Sequence, residues 1–213
     1  MWEQFKRVIK PRGAVVLTAS GKFSYQLVMS NFEWFRYEII AEKDGVTGHL
    51  NANRQPLKAH EAVCVFYQKH PTYNPQLIPG KEYSATSGAA GGYIRDKNTG
   101  GYTTVNTGYR YPRSVIKFNW PINLMHPTQK PVALFEYLIR TYTNAVDVVF
   151  DPCCGSGTTA VAAWRSERRF ICGDNNLEYV QVARKRLVEA DPYNPKQIGD
   201  KVQMSLFAGL KND

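Results

Sequence analysis

No apolar run in the 213 residues approaches the length of about 20 that a membrane-spanning helix requires. No charged leader with an apolar core precedes the first helical pattern, so no secretory signal is read here. Cysteine is scarce: Cys64, Cys153, Cys154 and Cys172 are all there is, two of them adjacent and none at the spacing of a metal site. Reduced thiols in a cytoplasmic protein, with no bound metal, are the expectation. Acidic residues are also few, 18 Asp+Glu against 27 Lys+Arg, which leaves a net charge of +9. That imbalance favours a polyanionic partner. What remains is ordinary for a globular chain, 43% hydrophobic and 21% charged, and the length suits one domain, or one domain with an insertion.

Trp2, Phe5, Val8 and Ile9 space an amphipathic helix. Lys10-Pro11-Arg12-Gly13 breaks it, and Ala14–Thr18 reads as a buried strand. A helix over Phe23–Met29 and strands over Phe35–Ile40 and Ala62–Tyr67 follow. Residues 70–124 then lose all sustained period and gain glycine pairs, Tyr and Thr. Order returns at Pro131, placed for the first turn of a helix whose face is Phe135, Leu138, Ile139 and Tyr142. A strand over Val146–Phe150, a glycine-rich loop, a helix over Thr158–Trp164, a strand over Arg169–Gly173 and a helix from Glu178 to Leu187 complete the pattern. The tail ends in an apolar patch, Val202–Leu206. Alternation of this kind indicates an α/β fold with a mainly parallel sheet and helices on both faces.

The loop Asp151-Pro-Cys-Cys-Gly-Ser-Gly-Thr-Thr159 carries the chemistry. A glycine-rich turn from strand into helix brings backbone N–H groups close to a ligand. Gly155-x-Gly157-x-x-Ala160 fits the dinucleotide fingerprint, with Asp174 at the distance of a ribose-binding carboxylate. Asp151 opposes that reading, because a carboxylate beside the loop repels a pyrophosphate. A ligand with an ammonium and an adenosine but no phosphate suits the same place, and S-adenosylmethionine is such a ligand. Asp151 would then face the ammonium, Gly155 and Gly157 would pass under the ligand, and Asp174 would accept from the ribose hydroxyls. Asp174 also has a plainer reading as the cap of the next helix, a role open equally to Asn175 or Asn176.

Upstream stands His126-Pro-Thr-Gln-Lys-Pro131. Joined to the glycine loop, it resembles the β-class amino-methyltransferases of DNA, which act on adenine N6 or cytosine N4. Glu178-Tyr179-Val180 to Ala183-Arg184-Lys185-Arg186-Leu187, the Trp2–Gly13 segment and His60-Glu61 are similar to the family as well. The resemblance implies a methyltransferase domain over 1–213 that uses S-adenosylmethionine on double-stranded DNA, with a second copy of the chain as a conceivable partner. It places His126, Thr128 and Lys130 in the cofactor pocket with Asp151, Cys153, Gly155, Gly157, Thr158 and Asp174. Cys153 stands where the family usually has Phe, a smaller apolar contact.

By the same resemblance, 70–124 is the variable target-recognition insertion. Within 81–118, Lys81, Arg95, Lys97, Arg110, Arg113 and Lys117 stand against Glu82 and Asp96, a balance of +4. Lys81, Arg95, Arg110, Arg113 and Lys117 are the candidate DNA contacts, with tyrosines among them to stack on bases.

One family element is lacking. An Asp/Ser/Asn-Pro-Pro-aromatic tetrapeptide, which grips the exocyclic amine of the flipped base, occurs nowhere in the chain. Asp191-Pro-Tyr-Asn194 imitates it without the second proline. No catalytic residue can be named from the 213 residues. In family order the tetrapeptide precedes Trp2 and follows a central strand, between those matching Val146–Phe150 and Ala14–Thr18. An N-terminally truncated reading frame is therefore the expectation, with a non-catalytic, cofactor-binding remnant or partner subunit as the alternative. A nicotinamide-dependent oxidoreductase rests on the glycine pattern alone and is disfavoured by Asp151.

Overall fold

The computed structural model describes residues 1–87, 102–122, 125, 126, 128–190 and 202–206. In chain order the first elements are helix α1 (Trp2–Val8), strand β1 (Val15–Ala19), helix α2 (Lys22–Ser30), and strands β2 (Phe35–Thr47) and β3 (Lys58–Phe66). Four short strands follow, β4 (Ile78–Pro79), β5 (Tyr83–Ser87), β6 (Tyr102–Asn106) and β7 (Tyr109–Arg110). Then come β8 (Val115–Phe118), helix α3 (Val132–Tyr142), β9 (Val148–Asp151), helix α4 (Thr158–Arg165), β10 (Arg169–Asp174), helix α5 (Leu177–Ala190) and β11 (Val202–Leu206). They form two compact units, Met1–Asn74 with Ser114–Asp213, and Pro75–Arg113. β8 and the residues 70–74 thus belong to the first unit, inside the expected bounds of the insertion.

Among the described residues the first unit holds two sheets rather than one mainly parallel sheet. β11-β10-β9 is parallel throughout. The other, β1-β3-β2-β8, is antiparallel except for β2 with β8. Its reversal has a local cause. The loop after β2 is too short for the crossover that a parallel neighbour needs, so β3 folds back as a hairpin and enters between β2 and β1.

The pleat of β3 sorts the core. Ala62, Cys64 and Phe66 face a cluster with Leu27 and Trp34, against which Trp2, Phe5 and Ile9 of the first helical segment pack. Val8 points away and is exposed. Val63 and Val65 face the other way, onto Leu134, Leu138 and Tyr142 of α3. α3 also lends Ile139 to a third cluster with α4, Phe170 and Cys172 of β10, and Leu187 of α5. One helix thereby joins both sheets. Pro131 is its N-cap in an extended conformation, one residue before the helical position expected for it.

Among the described residues, β1 pairs with β3 alone and β9 with β10 alone. The strand expected over Val146–Phe150 begins only at Val148, because Val146 takes a left-handed φ of 62° and donates its N–H to Glu167 O at 3.1 Å. One face of it is exposed. Val148 is 42% and Phe150 43% exposed, since this face of the edge strand carries no described cover. The apolar patch Val202–Leu206 is a strand, paired in parallel with β10 from Phe170↔Val202 to Asp174↔Leu206.

In the second unit β5 pairs with β6 and β4 with β7, both antiparallel. Arg110 holds this unit together. Its guanidinium lies 4.7 Å from the Tyr83 ring centroid and donates to Asn106 Oδ1 and to the carbonyl of Lys81.

Candidate cofactor site

β9 ends on Asp151 and β10 on Asp174, so two parallel neighbours deliver two carboxylates to the same edge of the sheet. The loop between β9 and α4 is docked there through Cys154 N–H, which donates to Gly173 O at 2.9 Å. Asp174 Oδ2 accepts from Gly155 N–H at 2.8 Å, and its Oδ1 accepts from Asn176 N–H at 3.0 Å. Asn176 in turn caps α5 by accepting from Glu178 N–H at 2.9 Å. The capping role thus falls to Asn176, which leaves Asp174 with the glycine loop.

Asp151 uses both oxygens on its own loop. Oδ1 accepts from Cys153 N–H at 3.0 Å, and Oδ2 accepts from the Thr159 hydroxyl. Burial pushes its carboxyl above the ordinary range; the bonds from Thr159 and Cys153 oppose the rise, and the charge of Asp174 adds to it. Two carboxylates at the mouth of a glycine loop make a poor phosphate cradle and a fitting one for a cation. The Cys153 side chain is pushed the same way by burial and by the Asp151 charge, so it stands beside the loop as a neutral thiol.

The two loop glycines have different work. Gly155, at φ 51°, leaves a place where a Cβ would stand 3.4 Å from His126 Nε2, so the imidazole covers the glycine backbone. His126 Nδ1 accepts from Thr128 N–H at 3.2 Å, which in the neutral ring assigns the proton to Nε2. Tyr179 of α5 supports the ring edge-on, with centroids 4.3 Å apart. Gly157, at φ 78°, faces α5 instead. A Cβ there would fall 2.5 Å from Ala183 Cβ and 2.9 Å from its Cα. Gly157 is therefore a position where loop and helix pack too closely for a side chain.

A Gly157→Ala substitution is expected to cost about 1–3 kcal/mol for overpacking and about 1–2 kcal/mol for the left-handed backbone, read as a lowered denaturant midpoint. Gly155→Ala meets contacts no closer than 3.4 Å and carries the backbone cost alone.

Three residues that the quoted motifs contain, but to which no role was assigned, also reach the loop or its neighbours. Arg186 of α5 donates to Ser156 O at 2.6 Å, Ser156 Oγ at 2.9 Å and Thr158 Oγ1 at 3.2 Å, clamping the loop from behind. Gln129 Oε1 accepts from Met125 N–H at 3.0 Å and lies 3.4 Å from Ser156 Oγ. Glu61 of β3 receives the Lys130 ammonium. Of the expected DNA contacts, Lys81, Arg113 and Lys117 are exposed, Arg110 is engaged within its own unit, and Arg95 lies outside the described residues, as does the Asp191–Asn194 imitation.

A DNA methylase family model, that of the N6 and N4 methyltransferases, matches residues 1–185. The chain belongs to that family. Over 200 residues the chain is 27% identical to the type II methyltransferase M.HpaI of Haemophilus parainfluenzae, a match covering 87% of the chain and 56% of that protein. Identity rises to 53% over 62 residues with M2.DpnII of Streptococcus pneumoniae, covering 29% of the chain and 23% of that protein. The matched stretches thus span between about a quarter and a little over half of these curated relatives. The crystal structure of the M1.HpyAVI complex with S-adenosylmethionine superposes with a TM-score of 0.60 at 28% identity, covering 86% of this chain and 78% of that one. The cytosine-N4-specific PvuII methyltransferase superposes equally well at 15% identity, a likeness of fold. Among the described residues no cluster of acidic, His and Cys side chains could hold a metal, and no helix is long and apolar enough to cross a membrane.

Proposed function

We propose that this protein binds S-adenosylmethionine at residues 126–174 and serves the transfer of its methyl group to an exocyclic amine, adenine N6 or cytosine N4, in double-stranded DNA. The convergence of Asp151 and Asp174 on the loop that Gly155 opens carries the reading. Asp151 meets the ammonium, Asp174 the ribose hydroxyls, and the His126–Lys130 segment closes over the loop. When bound, the cofactor supplies an electrophilic methyl on a sulfonium. The chain's own residues hold and orient it and keep water from that side. Calorimetry with S-adenosylmethionine and with NAD tests the assignment: binding of the first and not the second is expected, and tight NAD binding overturns it. The lack of a Pro-Pro-aromatic tetrapeptide in these residues favours a second reading, a subunit that binds cofactor and DNA while another element grips the base.

The second unit and β8 are read as the DNA-recognition elements. Their exposed cations Lys81, Arg113 and Lys117 meet phosphates, while Arg110 supports the fold of the second unit. Replacing those three with alanine should weaken DNA binding and reduce the slope of log K against log salt by about 1–3, at roughly 0.9 for each phosphate no longer neutralised. Fluorescence anisotropy across a salt series reads this directly, and an unchanged slope assigns the three side chains to solvation alone. Arg110→Ala should instead lower the stability of the unit.

A further inference from the structure

β2 and β3 outrun the strands beside them. β1 ends opposite Ala62 and β8 opposite Lys43, while β2 continues to Thr47, paired with Lys58. The hairpin so formed stands on the edge of the first unit that carries the glycine loop. Lys58 at its foot donates to Ser20 Oγ just beyond β1, and Glu61 holds Lys130, whose carbonyl lies 3.5 Å from Thr158 Oγ1. Lys117, one of the exposed cations read as a DNA contact, lies opposite Glu42 at the same foot.

The tip of the hairpin is stiff and bare. Gly48 turns the chain at φ 95°, and Asn51 and Ala52 N–H donate to Gly48 O and His49 O at 2.9 and 3.1 Å. Arg54 and Gln55 N–H then both donate to Asn51 O, at 2.9 and 3.1 Å. These successive turns display Leu50 at 99% exposure. A single exposed leucine is ordinary on a protein surface. This one crowns a segment, 45–60, that includes Arg54 and Lys58 but no acid, with Asn51, Asn53 and Gln55 exposed around it. Such surroundings suit a polyanion. Leucine can bond neither a phosphate nor a base edge, so its apolar contacts on DNA are a thymine methyl or the faces of bases. Base faces open only where the stack is parted, and a base withdrawn for chemistry on its amine leaves such a gap.

We infer that the β2–β3 hairpin is a further DNA-contacting element, in which Leu50 enters the base stack as a wedge while Arg54 meets an adjacent phosphate. The inference rests on the DNA reading given above and adds to it a part for the first unit. Apolar side chains inserted at a base step hold it unstacked. A tip already fixed by its own backbone bonds loses little freedom on entry. Leu50 thereby favours the opened duplex on the edge where the methyl donor is read to bind.

Anisotropy titrations on the full chain test this with two duplexes of one sequence, one intact and one carrying a single abasic site. The abasic gap supplies an opened stack without its unstacking cost, whatever the recognition sequence. The unaltered protein should bind the abasic duplex about tenfold more tightly, the scale of burying one leucine side chain. Leu50→Ala should lose most of that preference, hold the intact duplex within about twofold, and leave the melting temperature unchanged. Leu50→Phe should keep the preference, and Arg54→Ala should weaken both duplexes alike. A 2-aminopurine placed beside the gap should brighten with the unaltered protein and stay dark with Leu50→Ala. A contact confined to the groove would move both duplexes alike when Leu50 is truncated, and that result overturns the wedge. So does an abasic preference that is absent from the unaltered protein or untouched in Leu50→Ala; in each of these cases the DNA reading stands. Failure of the unaltered protein to bind either duplex overturns the DNA reading and this inference with it.

Discussion

Replacing Asp151 with alanine is expected to weaken S-adenosylmethionine binding by about 1.5–3 kcal/mol, the scale of a lost charge-assisted hydrogen bond, or roughly ten- to a hundredfold in Kd. Part of that loss would pass through the loop, since Thr159 and Cys153 N–H would lose their acceptor. Asp151→Asn separates the two contributions, keeping an acceptor while removing the charge. The pH dependence carries a further signature. Burial first, and the neighbouring Asp174 charge with it, raises the Asp151 pKa above its ordinary 3.8. The folded protein therefore holds this proton to higher pH than the unfolded chain does. The group's contribution to stability is full below 3.8 and is lost as pH rises through the folded pKa. Cofactor binding runs the other way, because the ammonium needs the ionised carboxylate, so affinity should rise with pH across the same window. Calorimetry and denaturant titrations over that range should show opposite slopes in the unaltered protein and neither slope in Asp151→Asn. Parallel slopes would remove Asp151 from the role of counter-ion.

What could be read in the sequence is what neighbours along the chain decide. The turn from β9 into α4 needs glycine at particular φ values, and residues 151–159 declare it locally. The carboxylates at the ends of β9 and β10 follow from the same short-range pattern. What escaped reading depends on distant partners. Glu61 and Lys130 are 69 residues apart, so no local pattern announces their pairing. Gly157 has the same look as Gly155, and only the arrival of Ala183 from α5 shows that a side chain has no room at Gly157. Arg110 counts as one basic residue among six in 81–118, yet its guanidinium is taken up by Tyr83, Asn106 and the Lys81 carbonyl. Composition marked Val146–Phe150 as a strand, but its burial is set by neighbours, and β9 has one strand neighbour among the described residues.

The largest effect is expected in methyl transfer itself: these 213 residues alone should transfer methyl to DNA at least about 10²–10³-fold more slowly than a chain supplied with a base-gripping tetrapeptide, the scale on which removal of a preorganised acceptor or donor registers. An exocyclic amine is a weak nucleophile until acceptors draw on its hydrogens and align its lone pair, and holding the cofactor does not supply those acceptors. No Pro-Pro pair occurs in the chain to do so. The structure also offers a place for such an added element. β1 and β9 each present one edge without a strand partner among the described residues. α3 reaches both sheets, with Leu134 and Leu138 packed on one side and Ile139 on the other. An extended segment seated between β1 and β9 would pair both edges, satisfy N–H and C=O groups worth about 1–3 kcal/mol each when buried unpaired, and deliver the residues after it beside the loop at the end of β9. Fusing a strand followed by an Asn-Pro-Pro-Tyr or Asp-Pro-Pro-Tyr tetrapeptide ahead of Met1 should therefore raise methyl transfer and the denaturant midpoint together. A tritiated-methyl assay and an unfolding titration on both forms read the two effects. Brisk turnover by the 213 residues alone would mean that acceptors elsewhere in the chain activate the amine. A gain in stability without a gain in rate would show that the strand seats but the tetrapeptide does not reach the base.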